Sequence, residues 1–227
     1  MDKKTFSLLE AYMQSCVADN AHDAGHIYRV LYQALEIAKT EDNVNADILI
    51  AACLLHDIGR GEQIADRSLC HAEVGAEKAY RFLLENGFLQ PFAQQVSDCI
   101  LTHRFRKNRI PQSIEAKILF DADKLDVVGA MGLARTLMSR VGDGGAIYQL
   151  RPDGSVSDGT DDEESTLFKE YKRKLEVIYD RFYTTRGRQI ALQRQEAAKR
   201  FYEDLLQEIR FSYDKGPAAL KKHLLDQ

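Results

Sequence analysis

Apolar residues recur at helical spacing along most of the chain, and convincing alternation of apolar and polar residues, which marks strands, is missing. One apolar stripe lies within residues 5–18, and a second runs from about residue 26 to residue 40. The second stripe consists of Ile27, Val30, Leu31, Ala34, Leu35 and Ala38. Such spacing places the apolar side chains on one face of a helix, against a core. Together with a low count of four prolines, the pattern predicts an all-α fold.

Further helices are predicted in the middle of the chain. Asn45 is a candidate cap for a third helix that runs to Asp57, as Asp23 is for the second. The segment 60–70 carries several charged residues and is interpreted as a loop. The helices that follow are predicted over about 71–86, over about 91–103 and from Ser113 onward.

The pattern changes in the last third of the chain. Residues 142–162 are rich in glycine and serine and show no helical spacing, so we expect a mobile loop there. Residues 163–225 regain helical spacing, with a break near 184–187. They are predicted to form a C-terminal helical hairpin that packs on the core of a single domain or on a partner chain.

Length, charge and cysteine usage limit the function classes. A chain of 227 residues is one domain of ordinary size, and 44% hydrophobic with 29% charged residues suits a globular protein. The net charge of −4 gives the whole chain no electrostatic attraction to nucleic acid or to an anionic membrane. The cysteines are scattered, and neither a signal peptide nor a long apolar run is found, which favours a reduced, cytoplasmic protein.

The candidate chemistry centres on Leu54-Leu55-His56-Asp57-Ile58-Gly59, at the end of an apolar helix. A buried carboxylate needs a cation or several hydrogen-bond donors to offset its desolvation. The short connection between the second and third helices predicts that they are antiparallel neighbours. That pairing would bring His26, at the start of one helix, beside His56 and Asp57, at the end of the next.

Other histidines and aspartates lie near predicted helix ends. His71 and His103 stand at the start of one helix and at the end of another, and Asp123 belongs to a cluster with Asp121 and Asp126. Imidazole and carboxylate ligands together suit Mn²⁺, Fe²⁺, Co²⁺, Ni²⁺ or Zn²⁺ rather than a soft metal bound by thiolates. The residues therefore predict a site for a divalent metal ion.

The ordered set resembles the HD-domain superfamily of metal-dependent phosphohydrolases, and most of all its small stand-alone bacterial members. The family pattern is a histidine, a His-Asp doublet and a later aspartate on an all-α helical bundle. Here His26, the doublet His56-Asp57 and Asp123 match it, over about residues 20–140. The resemblance implies that these residues bind the metal. Asp121 and Asp126 are alternatives for the last ligand, and Asp123 is favoured because a basic residue and a leucine follow it.

The resemblance also bears on the number of ions. In nucleotide-cleaving members, a histidine placed like His71 contacts the substrate phosphate. In two-metal branches, the positions of His71 and His103 bind a second ion. The chain lacks the Gly-Tyr-Pro signature of the cyclic-dinucleotide branch, which favours one ion over two. The resemblance leaves Mn, Co, Ni, Fe, Mg and Zn open as the metal.

A phosphoryl transition state spreads negative charge over its oxygens and requires positive groups around it. Catalytic roles are therefore predicted for Asp57, His71 and Lys124, with Asp57 orienting or deprotonating water. Substrate contacts are predicted for Arg60, His71, His103, Arg104 and Lys124. Plainer alternatives are open for these residues. Arg60 and the basic turn at 103–109 would then be solvated, and Lys124 would pair with Asp121 or Asp126. His71 would only start its helix.

The leading hypothesis is a divalent-metal-dependent phosphohydrolase that acts on a nucleotide or another small phosphate ester. Release of pyrophosphate from a nucleoside triphosphate and release of phosphate from a monophosphate are both open. The alternative is a catalytically silent metal- or nucleotide-binding sensor or interaction protein. Nucleic-acid binding through residues 103–109 is disfavoured by the net charge and by the absence of known binding motifs. A homodimer through the C-terminal helices is left open.

Overall fold

The computed structural model describes residues 1–17, 21–105, 109–142 and 144–225. Within them the fold is all-α, as predicted: ten α-helices follow one another, no described residue belongs to a strand, and an isolated bridge pairs Leu150 with Val156. The helices are α1 (Lys3–Val17), α2 (Ala21–Ala38), α3 (Ala46–Leu55), α4 (Arg60–Ala65), α5 (His71–Glu85), α6 (Gln90–Thr102), α7 (Ile114–Leu125), α8 (Gly129–Gly142), α9 (Leu167–Glu170) and α10 (Thr185–Leu225). Among the described helices, none has both the length and the apolar character needed to cross a membrane.

The chain divides into two compact units. The first contains Met1–Asp126 together with Phe182–Arg188, and the second contains Val127–Arg181 and the chain from Gln189 onward. Every residue predicted from the sequence to bind metal or substrate belongs to the first unit.

Helix α3 is the central element of the first unit's core. Its buried residues are Ile48, Leu49, Ala51, Ala52, Cys53, Leu54 and Leu55. A helix that is apolar on all sides must be covered on all sides, and α1, α2, α6 and α7 pack around it. His56 and Asp57 follow directly on this helix, so both are carried into the interior and are fully buried.

One predicted helix cap is confirmed, and a second cap is found at Ser113, where a helix is predicted to begin. The Asn45 side chain accepts hydrogen bonds from the backbone N–H groups of Asp47 and Ile48 at the start of α3. The Ser113 hydroxyl accepts one from the N–H of Ala116 at the start of α7. Such caps satisfy backbone donors that have no partner within the helix. They fix where α3 and α7 begin, and therefore which residues stand at their far ends.

Two local predictions in the first unit are wrong. Helix α2 begins at Ala21, so Asp23 lies inside the helix rather than at its cap. The segment 60–70, expected to be a loop, contains the six-residue helix α4, none of whose residues is buried. A single short turn with no buried face offers too few apolar positions for a helical period to be recognised.

A close backbone contact follows the His-Asp doublet. A Cβ atom on Gly59 would lie 2.4 Å from the carbonyl oxygen of His71 and 2.6 Å from the backbone nitrogen of Gly75. Real Cβ atoms do not approach backbone atoms so closely, so only glycine fits here. The contact lets the first turns of α5 pack directly against the turn that carries Asp57.

The second unit has an apolar core of its own. Its buried members are Leu133, Val156, Leu167, Phe168, Tyr171, Leu175, Ala198 and Tyr202. The rings of Tyr171 and Tyr202 are stacked, with centroids 4.0 Å apart. The described part of the connection between α8 and α9 is non-helical, as predicted, but it is packed, because Val156 and Ser157 are each only 3% exposed. Its mobility stays a prediction.

The first arm of the predicted C-terminal hairpin is shorter than expected. Helix α9 has four residues and continues into a π-helical turn over Tyr171–Leu175, which a short 3-10 helix over Ile178–Asp180 follows. In the π turn, the N–H of Glu176 donates to the carbonyl of Tyr171, five residues earlier, at 2.8 Å. Such a turn interrupts the regular helical period. Helix α10 begins at Thr185, within the predicted break, and forms the second arm.

Candidate metal centre

Four histidines and two aspartates meet in the interior of the first unit. They are His26 in α2, His56 and Asp57 after α3, His71 at the start of α5, His103 at the end of α6 and Asp123 in α7. Five of the six are at most 3% exposed, and the side chain of Asp123 is 14% exposed. Titratable groups buried together in this number require a structural or a chemical partner.

His26, His56 and Asp123 form the first of two ligand groups, with one donor atom of each within 4.8 Å of the others. Nε2 of His26 lies 3.4 Å from Nε2 of His56 and 3.3 Å from Oδ1 of Asp123. Asp57 joins the group, because its Oδ2 lies 3.5 Å from Nε2 of both histidines. The structure thus brings together the four residues that the HD resemblance implies as ligands.

Asp57, His71 and His103 form the second ligand group, again with donor atoms within 4.8 Å of one another. Nε2 of His71 lies 3.5 Å from Oδ1 of Asp57 and 3.3 Å from Nε2 of His103. Nε2 of His103 lies 3.8 Å from the same Asp57 oxygen. The two histidines expected to contact substrate therefore stand where they can also bind an ion.

Asp57 faces the two groups with different oxygens. Its Oδ2, on the side of the first group, accepts a hydrogen bond from Nε of Arg60 at 2.5 Å. Its Oδ1, on the side of the second group, is buried and has no hydrogen-bond partner among the described residues. A buried carboxylate oxygen without a donor is unfavourable, and an adjacent cation removes that penalty. Imidazole nitrogens and carboxylate oxygens converge from both sides, so the residues fit divalent metal ions.

The imidazoles are held in the form that binds a metal. Nδ1 of His56 donates to the backbone oxygen of Cys53 at 2.7 Å, and Nδ1 of His103 donates to that of Ile100 at 2.6 Å. A carbonyl can only accept, so the proton sits on Nδ1 and the lone pair of Nε2 is directed into the centre. Outer hydrogen bonds of this kind orient ligating histidines in metal sites.

Asp126 performs the same task for His26. Its Oδ2 lies 2.7 Å from Nδ1 of His26, and the guanidinium of Arg29 holds the carboxylate with two hydrogen bonds of 2.6 and 2.9 Å. Arg29 therefore makes a structural ion pair with Asp126. A carboxylate behind a ligating histidine increases the basicity of the ligand. Asp126 is thus an outer partner of the centre.

Asp121 is turned away toward the start of α10. It accepts hydrogen bonds from the backbone N–H groups of Tyr183 at 2.9 Å and Thr184 at 2.7 Å, and from the Thr184 hydroxyl at 2.6 Å. Burial raises the pKa of Asp121 to about 6. Of the three aspartates left open by the sequence, only Asp123 reaches the first ligand group.

The charge state of the imidazoles differs across the centre. Burial alone would lower the pKa of His26, but hydrogen bonds with Asp123, Asp126 and Asp57 outweigh it and raise this pKa to about 10. The carboxylates therefore favour a positive charge beside His26, and a metal cation would compete with that proton. Burial lowers the pKa of His71 to about 4 and that of His103 to about 3, so both are neutral, as metal ligands must be.

Two cationic side chains border the ligands. Nζ of Lys124 donates to Oδ2 of Asp123 at 2.7 Å and to the backbone oxygen of His103 at 3.3 Å. Burial favours the neutral acid, yet the Lys124 ammonium holds the pKa of Asp123 well below its usual range. Arg60, whose side chain is 33% exposed, holds Asp57 through Nε. Both cations therefore orient ligands, and Lys124 pairs with Asp123 instead of Asp121 or Asp126.

The basic turn after α6 is described only in part. Nη1 of Arg104 lies 3.7 Å from Sγ of Cys70, the residue before His71. Arg109 pairs with Glu73 at 2.6 Å. Residues 106–108 of the turn lie outside the described residues. Arg104 and Arg109, both in the described part of the turn, therefore stand beside the first turn of α5.

Gln63 is a residue of the centre that the sequence pattern does not reveal. Its Oε1 accepts a hydrogen bond from Nδ1 of His71 at 2.6 Å, and its Nε2 donates to the backbone oxygen of Leu69 at 3.0 Å. It follows Arg60 by three residues on α4, and residues at this spacing share one helix face. Only the recognition of α4 as a helix would have placed Gln63 beside Arg60.

The fold and the candidate ligand set define a class of all-α proteins with a buried His/Asp centre, and comparison with known proteins identifies the family. The HD domain family model matches residues 23–128, which include every candidate ligand named above. YueE of Bacillus subtilis is 30% identical over 139 residues, covering 56% of this chain and 74% of YueE. The chain belongs to the HD-domain family, whose members bind divalent metal ions.

Other relatives match nearly the whole chain. YpgQ of Bacillus subtilis is 27% identical over 209 residues, covering 88% of this chain and 92% of YpgQ. The crystal structure of YpgQ in complex with ADP has a TM-score of 0.68 to this structure, at 26% identity, and covers 90% of this chain and 97% of that one. A predicted HD superfamily hydrolase from an uncultured Thermotogales bacterium has a TM-score of 0.60 at 27% identity, covering 88% of this chain and 90% of that one.

Proposed function

We propose that the protein is a divalent-metal-dependent phosphohydrolase that acts on a nucleotide. The observation that carries this proposal is the pair of ligand groups that share Asp57, with an oxygen directed to each. Membership in the HD-domain family supports a hydrolase, and the relative YueE is provisionally named a phosphohydrolase. The ADP complex of YpgQ, a relative of similar length and fold, supports a nucleotide as the substrate.

We further propose two ions rather than the single ion that the sequence favours. His26, His56, Asp57 and Asp123 would hold the first, and Asp57, His71 and His103 the second. Each group has at least three donors of suitable type within reach of one another. The buried, unpartnered Oδ1 of Asp57 supports a cation on the second side as well. In this proposal, His71 and His103 serve the metal in place of the substrate contacts predicted for them.

Hydrolysis joins a water oxygen to phosphorus and breaks the bond from phosphorus to the leaving oxygen, while negative charge builds on the phosphoryl oxygens. Divalent ions held by the two groups would offset that charge and make water a stronger nucleophile at neutral pH. The protein's own contribution is to fix Asp57 through Arg60 and Asp123 through Lys124. The guanidinium of Arg60 and the side chain of Arg104 add positive charge for the substrate phosphates.

We favour cleavage of an anhydride bond, with release of pyrophosphate from a nucleoside triphosphate. The related YpgQ has been crystallised in complex with ADP, which is a nucleoside diphosphate and contains an anhydride bond. If the protein instead released phosphate from a monophosphate, it would still be a phosphohydrolase, and only the bond cleaved would differ.

The test is hydrolysis of nucleoside mono-, di- and triphosphates by protein reloaded with Mn²⁺, Mg²⁺, Co²⁺ or Ni²⁺, with phosphate and pyrophosphate measured separately. We expect pyrophosphate from triphosphates, and loss of this activity in His56→Ala. His223→Ala is the matched control, because His223 lies at the exposed end of α10, in the second unit, and should leave the rate unchanged. A folded protein that is silent with every metal would overturn the proposal and favour the sensing alternative.

A further inference from the structure

The structure assigns Gln63 as a positioning residue for the second ion, and it assigns that ion the weaker site. This inference rests on the proposed two-ion centre. It concerns the hydrogen bond between Oε1 of Gln63 and Nδ1 of His71, which is 2.6 Å long.

The partner of His71 is unlike the partners of the other three imidazoles. His56 and His103 are held by backbone carbonyls of the buried helix ends that carry them. His26 is held by a carboxylate that is itself 1% exposed. Only His71 depends on a neutral side chain from another, partly exposed helix. Packing of the core therefore constrains the orientation of the His71 ring less than that of the other three imidazoles.

Helix α4, which presents Gln63, has no buried residue to anchor it. Polar contacts hold it instead: Lys78 donates to Glu62 at 2.6 Å and to the backbone oxygen of Ile58 at 2.9 Å, and Arg60 donates to Asp57. The amide of Gln63 adds a bond to Leu69 at 3.0 Å. Arg60 and Gln63 thus connect one exposed turn to Asp57 and to His71, which both belong to the second ligand group.

The charges around the two ligand groups also indicate that the second site is the weaker one. The first group offers two carboxylates as ligands, Asp57 and Asp123, and a third, Asp126, stands behind its histidine. The second group has only the shared carboxylate of Asp57, and the uncharged Gln63 stands behind its histidine. A carboxylate makes the imidazole it contacts a stronger ligand than a carboxamide does. We therefore expect the first group to fill at a lower metal concentration than the second.

Two substitutions at this position separate the possible roles of Gln63. Gln63→Leu removes the acceptor for His71. It should lower the affinity for the second ion by about 10- to 100-fold, the usual effect of losing an outer partner. Gln63→Glu keeps an acceptor and adds a charge, so it should hold the second ion at least as tightly as the parent protein. Both variants lose the bond to Leu69, so a role limited to that bond would weaken them equally.

The experiment is a Mn²⁺ titration of metal-free protein, followed by equilibrium dialysis for stoichiometry and by electron paramagnetic resonance for the coupling of two adjacent ions. The parent protein should bind two Mn²⁺ in unequal steps, with the coupled signal arising in the second. Gln63→Leu should retain the first step and shift the second to higher concentration. Gln94→Leu is the control, because it removes an exposed glutamine outside the centre whose amide donates to the exposed Asp98.

The possible outcomes test the role of Gln63 separately from the proposed two-ion centre. A parent protein that saturates with a single Mn²⁺ and no coupled signal overturns the two-ion centre itself. Two ions in the parent with an unchanged second step in Gln63→Leu overturn the role of Gln63 alone. An equal loss of affinity for the second ion in Gln63→Leu and Gln63→Glu also overturns the role of Gln63 toward His71, because both variants lose the Leu69 contact.

Discussion

Asp121 accepts hydrogen bonds from both the backbone N–H and the hydroxyl of Thr184, at 2.7 and 2.6 Å. This contact fixes the start of α10, whereas Asp123, two residues further along α7, faces His26. Residues two apart on an α-helix point about 200° apart, so the two carboxylates cannot serve one site. The cluster of aspartates after the apolar part of α7 is therefore divided between a structural contact and the candidate metal centre.

Neutralising these two aspartates should separate stability from metal binding. Asp121→Asn loses an acceptor that holds three donors and should lower the free energy of unfolding by about 1–3 kcal/mol, with metal stoichiometry retained. Asp123→Asn should instead reduce metal affinity by more than the about 10- to 100-fold typical of an outer partner. Urea titration and equilibrium dialysis measure the two effects. Loss of metal from Asp121→Asn, in a folded protein, would reverse the assignment.

Removal of the Asp126 carboxylate should act through His26. In Asp126→Asn, the imidazole loses its charged partner and Arg29 loses its ion pair. We expect the affinity of the first ion to fall by about 10- to 100-fold, because an outer partner of a ligating histidine has been weakened. The measurement is a Mn²⁺ titration of the metal-free variant. Asp66→Asn, which changes an exposed carboxylate on the segment after α4, serves as the control.

Two glycines near the doublet offer a paired test of packing. The Cβ atom of Gly59→Ala would meet backbone atoms of His71 and Gly75, which cannot move aside as a flexible side chain can. We expect a loss of about 1–3 kcal/mol in the free energy of unfolding. Gly61→Ala, in α4, meets nothing within 4 Å and should stabilise its helix by up to about 1 kcal/mol. Equal stability of the two variants would contradict the close contact.

The metal-free protein should lose stability in mildly acidic solution. The pKa values of His71 and His103 are lowered to about 4 and about 3, whereas unfolded histidine titrates near 6.5. Between these values the unfolded chain binds protons that the folded protein does not, so acid favours unfolding. The raised pKa of His26, about 10, contributes stability that is complete below 6.5 and is lost only as the pH rises through 10.

Urea midpoints of chelator-treated protein, measured from neutral pH down to about pH 4.5, report this effect as a loss on the order of a few kcal/mol. The control is the same titration with the metal present, in which the loss should begin at lower pH because the bound ions hold the imidazoles neutral. A midpoint that stays constant over this range in the metal-free protein would argue against neutral, buried imidazoles.

Chelation should also lower the thermal stability at neutral pH. An ion that binds only the folded protein stabilises it by about 2.7 kcal/mol at a free concentration of 100 times its dissociation constant. Melting curves with EDTA and with increasing Mn²⁺ should therefore show a Tm that rises with metal concentration. In Asp57→Asn, which alters the carboxylate common to both groups, this rise should be largely abolished. A full rise in that variant would contradict the shared ligand.

The parts of the molecule that the sequence predicts are those fixed by neighbouring residues. The cap at Asn45 and the start of a helix at Ser113 follow from local sequence. The approach of His26 to the doublet follows from a short connection between two helices. The second ligand group is different, because it depends on where packing places the first turn of α5 and the last turn of α6. The spacing of apolar residues along the chain does not predict that placement. A short helix such as α4 has too few apolar positions to be recognised from the sequence.

The outer partners of the imidazoles differ in how far away they lie along the chain. His56 and His103 bind carbonyls three residues earlier, so their rings are oriented as soon as the helical turn forms. The partner of His26 lies 100 residues away, and that bond can exist only when the whole first unit has come together. Contacts over such separations form late or slowly in folding. Part of the geometry of the candidate centre is therefore available to a nascent chain, whereas its most highly charged part is complete only in the folded protein.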